Sequence, residues 1–147
     1  MEESFYDPLA SDYHLIFDDW NASIGRQGQV LSKLLSPPEH LDRVLDCACG
    51  IGTQTIALAS LGYRGEGSDL SPLEVKRAQC EAVERGLKID FRVDDMRELT
   101  TAATGEFGVV LALDNALPHL DSDSDILLAL GSMLSFRNQR TVAGSYK

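Results

Sequence analysis

The run Val44-Leu45-Asp46-Cys47-Ala48-Cys49-Gly50-Ile51-Gly52-Thr53, with Gly67-Ser68-Asp69-Leu70-Ser71 some twenty residues on, holds the chemistry that can be read from this chain. The two segments describe a buried strand, a tight turn of small residues, a helix start, and a second strand ending in an acid. A parallel strand that enters a helix through such a turn aims backbone N–H groups and the positive helix end at a ligand. Side chains there must be tiny for the backbone to come close, and Ala48, Gly50 and Gly52 meet that need in the order Asp-x-Ala-x-Gly-x-Gly. A dinucleotide pocket wants Gly-x-Gly-x-x-Gly, whose third glycine packs helix on strand. Counted from Gly50 and Gly52, that position is Thr55, so an NAD-linked oxidoreductase is disfavoured. A nucleoside-bearing cofactor of another kind is expected.

Asp69 closes the second strand at the interval where an acid accepts both ribose hydroxyls, and Ser71 is left to cap the following helix. Asp94-Asp95-Met96 closes the third strand, where Asp95 can accept an adenine amino group and Met96 can offer its backbone N–H. Asp121, Asp123 and Asp125 imitate the opening of a calcium loop, but Ile126 and Ser132 stand where glycine and glutamate are needed. They read instead as an acidic first helical turn. Cys47, Cys49 and Cys80 give an odd count, and the first two are too close for a zinc knuckle or a dithiol motif. His14, His40 and His119 share no metal-ligand spacing, so no metal is expected. His119 and Asn115 follow the fourth strand, at the carboxyl edge where ligands of open α/β sheets bind, and are candidate substrate contacts.

The elements that must position these residues follow from periodicity. Asp7-Pro8 opens a first helix whose Leu9, Tyr13, Ile16, Phe17 and Trp20 share a face, and a second helix through Val30, Leu31, Leu34 and Leu35 stops at Ser36-Pro37-Pro38. Strands are expected at Arg43–Cys47, Tyr63–Ser68, Ile89–Val93 and Phe107–Leu113, the last an apolar run suited to burial on both faces. Helices are expected at Thr53–Leu61, from Ser71-Pro72-Leu73-Glu74 to Gly86 with Val75, Ala78, Ala82 and Val83 inward, and over Asp123–Leu134. Glu74 is read there as the glutamate of a capping box. Repeated βα units make this a doubly wound, Rossmann-like α/β domain with parallel strands and helices on both faces.

These residues resemble the class I S-adenosylmethionine-dependent methyltransferases, over nearly everything from Tyr6 to Leu134. Within them, Tyr6-Asp7, Asp12-Tyr13-His14, Asp19-Trp20, the Asp46–Gly52 turn, Asp95-Met96-Arg97 and Leu113-Asp114-Asn115-Ala116-Leu117-Pro118-His119-Leu120 look like the glycine/sarcosine N-methyltransferase type. The resemblance implies that Asp46 and Gly50 face the methionine moiety, Asp69 the ribose, and Asp95 and Met96 the adenine, with Ala48, Gly52 and Leu70 also at the cofactor. It implies further contacts from Leu113 and Asn115, and a cover of N-terminal helices bringing Tyr13, Trp20 and Arg26, with Arg26 neutralising the methionine carboxylate. A small amine such as glycine or sarcosine would be the methyl acceptor.

At 147 residues and a net charge of −10, the chain suits one domain and is a poor partner for nucleic acid. No apolar run approaches the roughly 20 residues of a membrane span, and Met1-Glu2-Glu3 lacks a signal-peptide pattern, so a cytoplasmic location is expected. All 23 acidic residues precede Ser135, while the remainder carries Arg137, Arg140 and Lys147 and only a short strand candidate, Thr141-Val142-Ala143. The reading is therefore a single methyltransferase domain with a helical cap over 1–40, a cofactor-binding core over 41–134 and an atypical tail over 135–147, its last strands missing. An apolar fourth strand left at a sheet edge invites self-association. An inactive fragment that only binds cofactor or a partner chain is the alternative.

Overall fold

The alternation of strand and helix expected from Arg43 onward organises the computed structural model, which describes residues 7–40, 43–101 and 107–137. Four strands, β1 (Arg43–Asp46), β2 (Arg64–Asp69), β3 (Asp90–Val93) and β4 (Phe107–Leu111), form one sheet in the order β3-β2-β1-β4. All pairings are parallel. The chain order reverses beside β1, with β2 on one side and β4 on the other, and open sheets bind ligands beyond the carboxyl ends of the strands at such a point.

Val44 and Leu45 show why β1 is central. Val44 packs with Leu31, Leu58 and Tyr63 on one face, and Leu45 with Leu99, Phe107 and Ala129 on the other. Helices α1 (Trp20–Leu34), α2 (Thr53–Ser60) and α3 (Pro72–Glu84) cover the first face, and α4 (Asp123–Phe136) the second. The caps are side chains of the expected kind: Asp19, Ser71 and Ser122 accept from the N–H groups of Ala22, Glu74 and Asp125. The doubly wound architecture is thus present, and no helix among the described residues is long and apolar enough to cross a membrane.

The glycine that brings helix close to strand lies on the strand. A Cβ on Gly65 would stand 3.4 Å from Thr55, so β2 makes the room that a dinucleotide fold takes from its third helix glycine.

Several boundaries differ from expectation. The first helix is two short 3-10 turns, Asp7–Leu9 and Tyr13–Ile16, because Phe17 is extended and Asp19 caps a new helix at Trp20. Leu15 and Ile16 consequently face solvent. Val83, expected inward, is 75% exposed, since the buried stripe of α3 runs through Val75, Ala78 and Ala82. β4 ends two residues early, where Leu111 pairs with Asp46 and the chain soon turns through Asp114 and Asn115 in left-handed conformation (φ 53° and 64°). After α4, Arg137 forms a parallel bridge beside Phe107, on the outer side of β4. Thr141-Val142-Ala143 lies outside the described residues.

Candidate functional site

The turn from β1 to α2 crosses the carboxyl edge of the sheet, and several of its N–H groups are spent inside the protein. Cys49 N–H donates to Ser68 O (2.9 Å), Gly50 N–H to Asp69 Oδ2 (2.8 Å) and Gly52 N–H to Cys49 O (2.8 Å). Ala48 N–H leans 3.4 Å from Asp46 Oδ1. The N–H groups of Cys49, Gly50 and Gly52 are therefore not offered to a ligand. Beside the turn lies a cleft open to solvent, to which Asp69, Glu74, Asp94 and Asp114 contribute and, among the described residues, no lysine or arginine does. Such walls repel a pyrophosphate and suit a ligand that brings hydroxyl donors and positive charge.

Of the residues expected at a cofactor, Tyr13, Ala48, Gly50, Asp69, Leu70, Met96 and Leu113 line this cleft, with His119 at the same wall. Asp69 binds Gly50 N–H through one oxygen and Ser71 N–H (3.0 Å) through the other. Each oxygen keeps a second lone pair, so the carboxylate can still accept from a ligand hydroxyl. Burial raises its pKa, and the N–H donors of Ser71, Gly50 and Leu70 oppose that rise.

Six expected contacts stand elsewhere, Asn115 among them. Asp46 lies beneath the turn, 1% exposed, accepting from Thr55 Oγ1 (3.1 Å). Burial lifts its pKa to about 7 against the bonds from Thr55 and Ala48, with the charges of Asp69 and Asp114 adding to the rise. Gly52 is the left-handed cap of α2 and packs on Ala78, Ile56 and Phe91. Trp20 is a core residue: its Nε1–H donates to Thr53 Oγ1 (2.9 Å), and the guanidiniums of Arg77 and Arg85 lie over its ring. Arg26 is exposed and donates to Ser23 Oγ (2.7 Å), away from the cleft. Asp95 is gripped by Arg97, which also reaches Asp125. Burial pushes the Asp95 carboxyl up, and the Arg97 donors outweigh it and hold the group low.

Asp94 takes the lining position expected of Asp95, but both of its oxygens accept from the N–H and hydroxyl groups of Thr100 and Thr101. Asn115 is exposed and outside the cleft wall, while its neighbour Asp114 lies in it. Gln54 Nε2 donates to Gln27 Oε1 (2.7 Å) and to Asp114, tying α1, α2 and the loop after β4 together. Thr53, Gln54, Glu74 and Asp114 are the site residues that the sequence did not single out. For Asp114 a signal existed, since an Asp-Asn pair at a strand end tolerates left-handed backbone.

Cys47 and Cys49 are buried and ill-suited to act as nucleophiles. Burial and the charge of Asp46 push the Cys47 thiol up to about 12, and its Sγ–H points at Leu111 O (3.1 Å).

Residues 44–135 match the family model of the methyltransferase domain, and the chain belongs to that family. S-adenosylmethionine is the cofactor of this class of enzyme. A ubiquinone biosynthesis O-methyltransferase of Xanthomonas axonopodis pv. citri (strain 306) is 34% identical over 92 residues, which are 63% of this chain and 38% of that protein. The chain thus spans little more than a third of the curated relatives it matches. Among solved structures, the PH0226 protein from Pyrococcus horikoshii OT3 superposes with a TM-score of 0.73 at 21% identity, over 86% of this chain and 61% of that one. CalS10 from Micromonospora echinaspora, an amino pentose methyltransferase solved with S-adenosylmethionine bound, superposes with a TM-score of 0.67 at 20% identity, over 93% and 54%. Both share the fold.

Proposed function

We propose that this chain binds S-adenosylmethionine in the acid-lined cleft and directs its methyl group to a small-molecule acceptor. One observation carries the reading: a Rossmann-like turn in which the N–H groups of Cys49, Gly50 and Gly52 are taken by Ser68, Asp69 and Cys49, facing walls that bear four acids and, among the described residues, no lysine or arginine. That is the reverse of a phosphate site, and it suits the cationic, hydroxyl-bearing cofactor of this family. When bound, the cofactor supplies an electrophilic methyl on a sulfonium.

The protein's part is to bind and to orient. Asp69 accepts from the ribose, Leu70 and Leu113 offer apolar walls, and the Gly50 backbone lets the ligand lie close. Displacement at a methyl group gains chiefly from holding the reactants in line and excluding water. For the acceptor we favour a small amine such as glycine or sarcosine, drawn as a cation toward Asp114 and losing its proton to water before the freed lone pair attacks. The kinship with ubiquinone biosynthesis O-methyltransferases supports an oxygen nucleophile as the second reading.

Calorimetric titration with S-adenosylmethionine tests the first half. Binding by wild type that is weakened in Asp69→Ala supports it; no binding by a folded sample removes it. Methyl transfer to glycine, sarcosine and a catechol then sorts the acceptors. Binding without turnover on any of them would favour a cofactor-binding unit that does not catalyse alone.

A further inference from the structure

We propose that Glu74 is a second carboxyl for the cofactor's ribose, sharing the hydroxyl pair with Asp69; this rests on the cleft being the S-adenosylmethionine site. The sequence Ser71-Pro72-Leu73-Glu74 spells a capping box, in which Glu74 would reach back to the N–H of Ser71. Half of that box forms. Glu74 N–H donates to Ser71 Oγ (3.2 Å), but Ser71 N–H is already taken by Asp69 Oδ1. Displaced from that role, the Glu74 carboxyl turns into the cleft.

It is 3% exposed as a residue, and among the described residues no donor bonds its carboxyl. The nearest basic side chain on its own helix, Arg77, is committed to Glu81 and to Ser11 O (2.7 Å). A buried acid without a donor is costly, so such a group in a cleft wall points to a ligand that supplies one.

The position says which donor. Asp69 holds Gly50 through its N–H, and both Glu74 oxygens lie 3.8 Å from where a Gly50 Cβ would stand. The two acids therefore bracket one turn residue, at the place where Asp69 meets a ribose. A cis-diol offers two O–H donors on adjacent carbons, enough to give each carboxyl one. Burial and the charges of Asp69 and Asp7 lift the Glu74 pKa to about 8, consistent with a group that lacks donors until a ligand arrives.

Calorimetry on the full chain with S-adenosylhomocysteine and its 2′-deoxy and 3′-deoxy analogues tests this, using wild type, Glu74→Leu and Glu74→Gln. Wild type should lose about tenfold or more in affinity with either deoxy compound. Glu74→Leu should bind the parent about tenfold more weakly, cease to distinguish it from one deoxy analogue, and still reject the other through Asp69. Glu74→Gln, of the same shape but accepting through one oxygen, should show a smaller change of the same kind, and it carries the test if the leucine variant does not fold.

A folded variant that binds the parent as wild type does, or keeps both preferences, overturns the proposal. So does equal weakening for all three ligands, which would place Glu74 at a cationic group. If wild type fails to bind S-adenosylhomocysteine at all, the cofactor reading itself falls. In ligand-free melting, both variants should be at least as stable as wild type, which a purely structural role would not produce.

Discussion

Glu66 and Glu81 are buried acids held between pairs of arginines, whereas Asp46 and Glu74 are buried acids with none. Glu66 receives Arg43 and Arg92 at the sheet, and Glu81 receives Arg77 and Arg85 on α3. Burial pushes the Glu81 carboxyl up, but the donors of Arg85 and Arg77 outweigh it and hold it low. Asp46 and Glu74 are driven the other way, to about 7 and about 8. All four are carboxyl groups on buried residues. What differs is place: the compensated acids lie in framework, and the uncompensated ones gather at the carboxyl edge of β1 and β2 beside the cleft. Desolvated charge left unbalanced there is a resource for a ligand, and it lowers the stability of the empty protein.

Removing a compensated acid should hurt the fold most. Glu66→Ala removes the acid that Arg43 and Arg92 share and should cost about 2–4 kcal/mol in urea unfolding, the lower part of that range being favoured because both arginines reach solvent and keep other contacts. Next in size is the open group at the cleft. Asp69→Ala should weaken S-adenosylmethionine by about 1.5–3 kcal/mol, roughly ten- to a hundredfold by titration, with a smaller loss of stability.

A subtler effect comes from pH. Asp46 and Glu74 hold their protons in the folded state up to about 7 and about 8, while the unfolded chain releases them near ordinary carboxylate values. Over that interval the folded state binds more protons, so stability should fall as pH rises from about 5 to about 8, and melting temperature should drop by several degrees. The Asp46→Asn, Glu74→Gln double variant should flatten that slope; an unchanged slope would mean that neither acid is responsible. Smallest of all, Arg26→Ala should leave cofactor affinity and stability within about 0.5 kcal/mol, because the side chain is exposed and bonds only Ser23. A large loss of affinity would put Arg26 back at the ligand.

The comparison also explains what could be read in advance. The turn, the position of Asp69 and Leu70 at its edge, and the caps were legible because each depends on residues a few positions apart. So were the four parallel strands, which the repeated βα pattern assigns. Trp20, Arg26 and Asp95 were misplaced because their partners are distant or compete locally: Thr53 and Arg85 for Trp20, Arg97 for Asp95. Glu74 was misread for a sharper reason. Its capping-box spelling is correct, but Asp69 reached the Ser71 N–H first, and no local pattern records that competition.

Phe91 touches more of this site than its place on β3 suggests. A methyl group on Gly67 would collide with its ring at 2.5 Å, and one on Gly52 would press it at 3.2 Å, so a single ring fills the notches left by β2 and by the cofactor turn. The three positions therefore share one allowance of volume. Gly67→Ala alone should push the ring toward Gly52 and shift the turn, whereas Gly67→Ala with Phe91→Leu should let it settle back. In a randomised library these sites would be retained as matched sizes, large opposite none or medium opposite small, and the shape of the turn would be inherited from a strand that never meets the ligand.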